Sequence, residues 1–364
     1  SGTLLPDSTL YNVNKDTREK VGQIFVLEGK KQRPLDMAVA GDIIAFAKLK
    51  DTATGDTLCK ESDPVIYKPV EPLPAVLSYA VEAKVKGSED KVFSSLARLL
   101  EEDPSLKLYR DQSTSEIILS GTGQIHLEVA CERMNRKYGV EVNLKPVKVP
   151  YKETIKKAVK GVIYRHKKQS GGRGQFAEVH FDISPLERGK GFEFEEALVG
   201  MNVPRNFVPA VEKGLIEALK SGVLAGYEVV DLKVRFYDGK SHDVDSSEMA
   251  FKIAASMCFK KGVQEANPVL LEPIMKMEII APEENMGDVM GDLNGRRGRV
   301  LGMDSRGKYQ VIKAQAPMAE VLRYALDLNA ITAGRGSFQV EHSHYEELPA
   351  QLTDKVIAEA KSAE

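Results

Sequence analysis

Val92-Phe93-Ser94-Ser95-Leu96-Ala97-Arg98-Leu99-Leu100-Glu101-Glu102-Asp103-Pro104 is the stretch that sets the architecture. Val92, Leu96, Leu99 and Leu100 fall at i, i+4, i+7 and i+8, which lays one apolar stripe along a helix. Asp103-Pro104 stops that helix, because proline lacks the N–H and constrains the residue before it. Further on, Glu116-Ile117-Ile118-Leu119 reads as a strand. Leu127, Ala130, Cys131, Met134 and Tyr138 stripe a second helix, which Gly139 ends in left-handed geometry. The segment therefore runs strand, helix, strand, strand, helix, strand. Two such halves predict a ferredoxin-like α/β sandwich over residues 76–148.

Outward from this unit the pattern changes. Upstream lies a proline-bearing linker, Pro69-Val70-Glu71-Pro72-Leu73-Pro74. Residues 1–72 before it show strand and turn chemistry without helical periodicity. Ile43-Ile44-Ala45-Phe46-Ala47 reads as a short buried strand, entered through Ala40-Gly41-Asp42 and left through Thr54-Gly55-Asp56. A barrel removes its edges by closing, and this segment is too short to supply every strand, so part of a barrel is expected. Downstream, residues 149–267 form a third unit. Val230 to Phe236 alternates strictly and predicts a half-buried strand, with Asp238-Gly239 as a tight turn after it. Asp245-Ser246-Ser247-Glu248 reads as a capping box opening a helix striped by Met249, Ile253 and Met257. An earlier helix, about Ala210 to Ser221, ends at Gly222.

After Pro268 the logic of the first sandwich returns. Met286, Val289, Met290 and Leu293 stripe one helix between strands Met275–Ile280 and Tyr309–Ala314. Val321, Leu322, Ala325 and Leu328 stripe another behind Pro317, where a missing N–H costs little. A second ferredoxin-like α/β sandwich is expected over 268–349, then a helix over 350–364 with Leu352, Val356 and Ala360 on one side. The fold class is multidomain α+β.

Composition agrees with several soluble domains: 364 residues, 42% hydrophobic and 29% charged, with a formal net charge of -2. No apolar run reaches the ~18–20 residues of a membrane helix, and no signal-peptide pattern opens the chain. Cys59, Cys131 and Cys258 are far apart and form no CxxC pair, which fits a reducing cytoplasm and three small buried hydrophobes.

Against that near-neutral background, Tyr164-Arg165-His166-Lys167-Lys168-Gln169-Ser170-Gly171-Gly172-Arg173-Gly174-Gln175 stands out. Between Glu153 and Glu178 every charged residue is cationic: Lys156, Lys157, Lys160, Arg165, Lys167, Lys168 and Arg173. A one-signed patch punctuated by glycine is the footprint of a polyanion partner; a solvated loop with incidental charge is the alternative. Tyr237-Asp238-Gly239-Lys240-Ser241-His242-Asp243-Val244-Asp245 is a second constellation. If both loops project from one end, His242 joins the basic loop in a single tip and can donate to a phosphate or ribose hydroxyl. Otherwise it solvates a turn between two acids.

Catalytic templates fail. No G-x-x-x-x-G-K-[ST] phosphate loop occurs, and Asn14-Lys15-Asp16 lacks the intervening residue of a guanine-reading Asn-Lys-x-Asp. His342 and His344 share a strand face near Glu341, Glu346 and Glu347, a weak metal signal better read as an ordinary strand end. Arg296-Arg297-Gly298-Arg299 suits a helix C-terminus and equally a nucleic-acid contact. Gly334-Arg335-Gly336-Ser337-Phe338 is another arginine–glycine turn.

Taken in order, a set of strings resembles elongation factor G, a family of translational GTPases. They are Gly55-Asp56-Thr57-Leu58, Ala97-Arg98-Leu99, Glu102-Asp103-Pro104 and Gly121-Thr122-Gly123-Gln124-Ile125-His126-Leu127-Glu128. Gln169 to Gln175, Asp245 to Lys252, Leu271-Glu272-Pro273-Ile274, Met286-Gly287-Asp288-Val289, Arg296-Arg297-Gly298 and Gly334 to Phe338 complete it. The resemblance implies that 1–72 is the later part of the β-barrel domain II, 76–148 domain III, 149–267 an elongated S5-like domain IV, and 268–349 domain V. It implies tip loops at Lys167, Lys168, Gln169, Ser170, Gly171, Gly172, Arg173, Gly174 and Gln175, and at Asp238, Gly239, Lys240, Ser241 and His242, facing the tRNA–mRNA complex in the decoding region. Arg296, Arg297 and Arg335 become possible contacts to large-subunit rRNA near the sarcin–ricin loop and stalk base.

By the same resemblance a GTPase domain and the opening of the barrel would precede Ser1. The chain is then expected to be a piece of a longer protein, a cytoplasmic monomer with no membrane partner and no cofactor or catalytic residue of its own, GTP and Mg belonging to the parent. Thr122, Gln124 and Asn285 depart from the family's usual Met, Glu and Tyr, and with Lys167-Lys168-Gln169 they leave open a paralogous factor for recycling or ribosomal protection. A freestanding RNA-binding module is the reading from another class.

Overall fold

The computed structural model describes residues 2–111, 114–168, 174–200 and 202–362. Two compact units divide the chain, one of Ser1–Ala75, Val81–Tyr109 and Ile117–Lys145, the other of Val76–Ala80, Arg110–Glu116 and Pro146–Glu364.

The opening segment is made of short antiparallel strands: β1 (Thr3–Leu4), β2 (Thr9–Asn12), β3 (Thr17–Lys20), β4 (Ile24–Glu28), β5 (Lys31–Leu35), β6 (Ala38–Val39) and β7 (Leu58–Cys59). They pair as β1 with β6, β3-β2-β7, and β4 with β5. Val21, Ile24 and Ala38 form a small core, covered by Leu4, Leu10, Leu35, Ile44 and Phe46. Glu19 is buried, and its carboxylate accepts from the backbone N–H groups of Asp51 at 2.7 Å and Lys50 at 3.1 Å. Those amides hold its carboxyl below the usual glutamate range. The expected strand at Ile43 to Ala47 is not one. Ile43 is 91% exposed, and Ala45 alone makes a bridge, to Phe25. An apolar run without alternation does not say which side meets the core.

The next elements are β8 (Leu77–Ala83), α1 (Glu89–Glu102), β9 (Lys107–Arg110), β10 (Ile117–Gly121), α2 (Gln124–Tyr138) and β11 (Val142–Lys145). Their order β11-β8-β10-β9 is the ferredoxin-like arrangement. Val92, Leu96 and Leu99 are buried on α1, and Asp103 leaves the helix in extended geometry. Leu127, Ala130 and Met134 are buried on α2, which ends at Gly139 with φ 63. Cys131 and Cys59 are half-buried; Cys258 alone of the three is fully buried. The expectation of three buried thiols thus fails for two: Cys59 ends β7, and Cys131 lies mid-α2 beside its buried residues Leu127, Ala130 and Met134 without being buried itself.

Then come β12 (Lys152–Ile155), β13 (Val159–Lys168), β14 (Gln175–Pro185), β15 (Phe192–Glu196), α3 (Val208–Ser221), β16 (Leu232–Lys240) and α4 (Glu248–Glu265). The sheet order is β13-β14-β16-β15. β15 runs parallel to β16, and α3 supplies the crossover that a parallel pair needs. Ala177, Val179, Phe181 and Ile183 of β14 and Val234 and Phe236 of β16 pack in one core with the helices. Strand alternation sends Glu178, His180 and Asp182 to the opposite face.

Three expectations are corrected here. Asp238-Gly239 is not a turn but part of β16, paired His180↔Asp238 and Val179↔Gly239 beyond a bulge. A Cβ on Gly239 would lie 2.3 Å from the Glu178 carbonyl oxygen, so the glycine serves close strand approach. On α4, Met249 is 57% and Met257 41% exposed, and the buried side is instead Ala250, Phe251, Ala254, Ala255, Cys258 and Phe259. α4 packs closely against α3, where a Cβ on Gly214 would lie 2.4 Å from the Lys252 carbonyl oxygen, and Phe251 and Phe259 fill the core that the helices share with the sheet. Finally, Ser247 and not Asp245 caps α4, its hydroxyl accepting from the Ala250 N–H at 3.2 Å.

The last segment contains β17 (Pro268–Pro282), α5 (Met286–Gly295), β18 (Arg299–Arg306), β19 (Tyr309–Pro317), α6 (Met318–Val321), α7 (Tyr324–Thr332), β20 (Ser337–Glu347) and α8 (Ala350–Ser362). β20 and β19 flank β17, and β18 lies beyond β19, the ferredoxin-like order again. The second helix expected here is broken into α6 and α7 around Leu322-Arg323. The start of β17 also pairs with β12, from Lys152↔Leu271 to Ile155↔Pro268. Val356 of α8 is buried with Leu270 and Leu348, and Tyr151, Leu224 and Tyr227 pack on them. Beside this cluster the buried Glu153 carboxylate accepts from the N–H groups of Val223 at 2.7 Å, Ala225 at 2.8 Å, Leu224 at 2.9 Å and Tyr227 at 3.2 Å. No helix of the described residues is long and apolar enough to cross a membrane.

Candidate nucleic-acid interface

The β13–β14 hairpin stays paired to Lys168↔Gln175. Gln169, Ser170, Gly171, Gly172 and Arg173 lie outside the described residues. Lys167 and Lys168, just before them, are exposed. Among the described residues neither finds a carboxylate partner, whereas neighbouring Arg165 and Lys240 both do.

The second loop is stitched to this hairpin. Asp245 accepts from the Gly174 N–H at 3.0 Å through its side chain and from the Phe176 N–H at 2.9 Å through its carbonyl. The Ser246 hydroxyl donates to the Phe176 carbonyl at 2.8 Å and accepts from the His242 N–H at 2.8 Å. Asn202 holds the loop's other side, its carbonyl accepting from the Ser241 N–H at 3.2 Å. The two constellations therefore form one end of one sheet. Lys167, Lys168, Gly174, Gln175, Ser241 and His242 meet there, while Asp238, Gly239 and Lys240 lie in β16 behind them.

His242 is oriented by backbone. Its Nδ1 accepts from the N–H groups of Asp245 at 3.2 Å and Val244 at 3.3 Å. In a neutral ring those contacts leave the proton on Nε2. The side chain is 55% exposed, so its remaining N–H donor is open to a partner at the same end of the sheet as the lysines. Its ring lies 6.2 Å from that of Phe176.

Asp245, Ser246 and Asn202 carry this junction, and sequence reading missed them in that role. Asp245 and Ser246 sat in what reads as a capping box, and nothing in sequence ties Asn202 to residues some forty positions later. Glu178 was also missed. Burial would raise its carboxyl, but hydrogen bonds from His180 and Arg165 and the charges of Arg165 and Lys240 outweigh burial and hold it below the usual range.

The arginines of the last segment are differently placed. Arg296 forms hydrogen bonds with Asp292 at 2.7 Å, Asp327 at 2.9 Å and the Glu320 carbonyl at 2.8 Å. Arg297 makes a bidentate pair with buried Glu272 at 2.6 and 2.9 Å and reaches Glu320 at 3.2 Å. Arg335 pairs with Glu284 at 2.7 Å but keeps half its side chain exposed. His344 bonds to Glu346 and His342 packs on Tyr345; no group of three or more potential metal ligands occurs among the described residues.

Two ferredoxin-like sandwiches, one before and one after an S5-like unit in chain order, behind a small β segment, define a multidomain translation factor. Family models match in the same order: elongation factor G domain 2 over residues 1–61, domain III over 72–146, domain IV over 147–267, and the elongation factor G C-terminus over 269–356. The chain belongs to the elongation factor G family. Residues 62–71, 268 and 357–364 are left between and after these matches, too few for a GTPase domain, so this chain contains none. A crystal structure of a protein from Thermus thermophilus is 39% identical, with a TM-score of 0.82 over 99% of this chain and 54% of that one. The chain thus spans about half the length of that relative.

Proposed function

We propose that this chain is the ribosome-engaging arm of a factor that moves tRNA and mRNA during protein synthesis, with the tip of residues 147–267 entering the decoding region. It acts by occupying the site and blocking tRNA return, without covalent chemistry. The observation that carries this reading is the built tip: two exposed lysines without acid partners among the described residues, and a half-exposed histidine whose Nδ1 is tied to backbone, which leaves Nε2 as its remaining donor. Such donors suit phosphate and ribose oxygens. GTP with Mg belongs to a GTPase domain outside this chain, and the arm works in the cytoplasm as a monomer. The regions near Arg335 and the last sandwich face the large subunit around the sarcin–ricin loop and stalk base.

The test is single-turnover translocation and GTP hydrolysis, measured side by side with the intact factor. His242→Ala should slow translocation and spare hydrolysis, because the tip is remote from nucleotide chemistry. Unchanged translocation would sink the reading. A variant impaired only in subunit splitting would assign the factor to recycling instead.

A further inference from the structure

Behind the tip, the outward face of the same sheet carries a row of charge. Arg165 on β13, Glu178 on β14 and Lys240 on β16 are cross-strand neighbours, paired Arg165↔Glu178 and Glu178↔Lys240. Neighbouring strands lie ~4.8 Å apart, so the two cations rise from backbone positions roughly 10 Å apart on either side of the acid. The Glu178 side chain is only 3% exposed, yet it binds Arg165 Nε, His180 Nε2 at 3.0 Å and Lys240 Nζ at 3.6 Å. Arg165 and Lys240 themselves remain 58% and 61% exposed. One buried carboxylate therefore anchors two cations while most of their donors meet no described residue; the Arg165 Nη groups make no hydrogen bond to one.

Farther from the tip the same face is neutral by pairing. Lys233 sits 2.8 Å from both Glu193 and Glu195, and Arg235 reaches Glu195 at 3.3 Å and Asp182 at 3.6 Å. Between the two stretches Asp238 lies 3.8 Å from His180 Nδ1; beyond it the two cations outnumber Glu178 and adjoin Lys167, so the face changes along its length from self-cancelled to basic.

We propose that this end of the open sheet face is a second phosphate-binding surface, on which Arg165 and Lys240, positioned by buried Glu178, hold an RNA backbone alongside the tip. The ligand class is the phosphodiester, because the free donors are guanidinium and ammonium groups suited to charge-assisted bonds. The inference rests on the ribosome-engaging reading, and it adds residues that lie in strands and outside both loops.

Binding of the full chain to purified ribosomes across a salt series tests it. Each phosphate contact contributes about 0.7–0.9 to the slope of log affinity against log salt. Arg165→Gln with Lys240→Gln should therefore lower the slope by about 1.5, and weaken binding roughly tenfold or more at low salt. Thermal melts run alongside; should that double variant fold poorly, adding Glu178→Gln keeps the hydrogen-bonding network neutral and must give the same slope loss. Arg165→Lys with Lys240→Arg, which keeps the charges, should bind as wild type. If Lys167→Gln with Lys168→Gln lowers the slope and the sheet-face variants do not, this surface is wrong and the tip reading survives. If neither set changes it, both fail together. A loss seen with ribosomes but absent with deproteinised ribosomal RNA would mean a protein partner, and would overturn the assignment to RNA.

Discussion

Two arginine- and lysine-rich strings look alike on paper and differ in the fold. At the tip of the S5-like unit, Lys167 and Lys168 project without acid partners among the described residues. At the end of α5, Arg296 and Arg297 have side chains only 21% and 30% exposed, and both are enclosed by carboxylates. The first pair offers charge to a partner, and the second holds the molecule's own helices and sheet together. Local charge density is thus a poor guide to available charge. What decides is whether the tertiary fold brings acids within reach.

That contrast can be broken most sharply at Arg297. Replacing it by alanine leaves Glu272, itself 3% exposed, with a buried charge and no guanidinium. A loss of ~3 kcal/mol is expected, at the low end for a broken buried pair because the arginine is partly solvated. Chemical denaturation measures it, and a loss below about 1 kcal/mol would mean that the pair is merely superficial.

A pH titration of stability sharpens the middle ground. Glu178 has a folded-state carboxyl held below its ordinary value. The unfolded chain therefore takes up this proton first as pH falls. Its contribution is complete at neutral pH and is lost as pH drops through and below the ordinary range near ~4.3. In Glu178→Gln the acid limb of the stability curve should be shallower than in wild type; an unchanged limb would remove Glu178 from the anchoring role.

Lys167→Ala with Lys168→Ala should change stability by less than ~0.5 kcal/mol while weakening ribosome binding and flattening its salt dependence. A destabilisation as large as that of Arg297→Ala would erase the distinction between the two strings. The smallest effect is expected from guanine nucleotides: calorimetry of this chain with GTP or GDP should give no heat of specific binding, and a guanine-specific site tighter than ~100 micromolar (about 5.5 kcal/mol) would contradict the assignment of nucleotide chemistry to another domain.

The first sandwich was legible because its signals are local. Val92, Leu96 and Leu99 mark a face, and Asp103-Pro104 and Gly139 mark ends within the same few residues. The misreadings share the opposite property. Asp238-Gly239 resembles a turn until β14 supplies Val179 as partner. The buried side of α4 mixes Ala250, Ala254 and Ala255, small residues that hydrophobic patterning overlooks, with Phe251, Cys258 and Phe259, and it is set by packing on α3 and the sheet. Likewise most of the acids that claim Arg296 and Arg297 lie on other elements, Glu272 in β17, Glu320 in α6 and Asp327 in α7, while Asp292, four residues before Arg296 on α5, is local. The tip was half legible. Its cations could be read directly, but its assembly depends on Asp245 meeting Gly174, 71 residues away.

The pairing of β12 with β17 has a mechanical consequence. A projecting body attached by a single linker pivots freely, and a push at its far end is dissipated in the joint. Here the root is built in. Four residue pairs from Lys152↔Leu271 to Ile155↔Pro268 continue one backbone ladder across the attachment, and α8 with the Glu153 cage braces it. Such a joint resists bending where a lone linker would yield, because turning it means breaking several backbone hydrogen bonds of one sheet together.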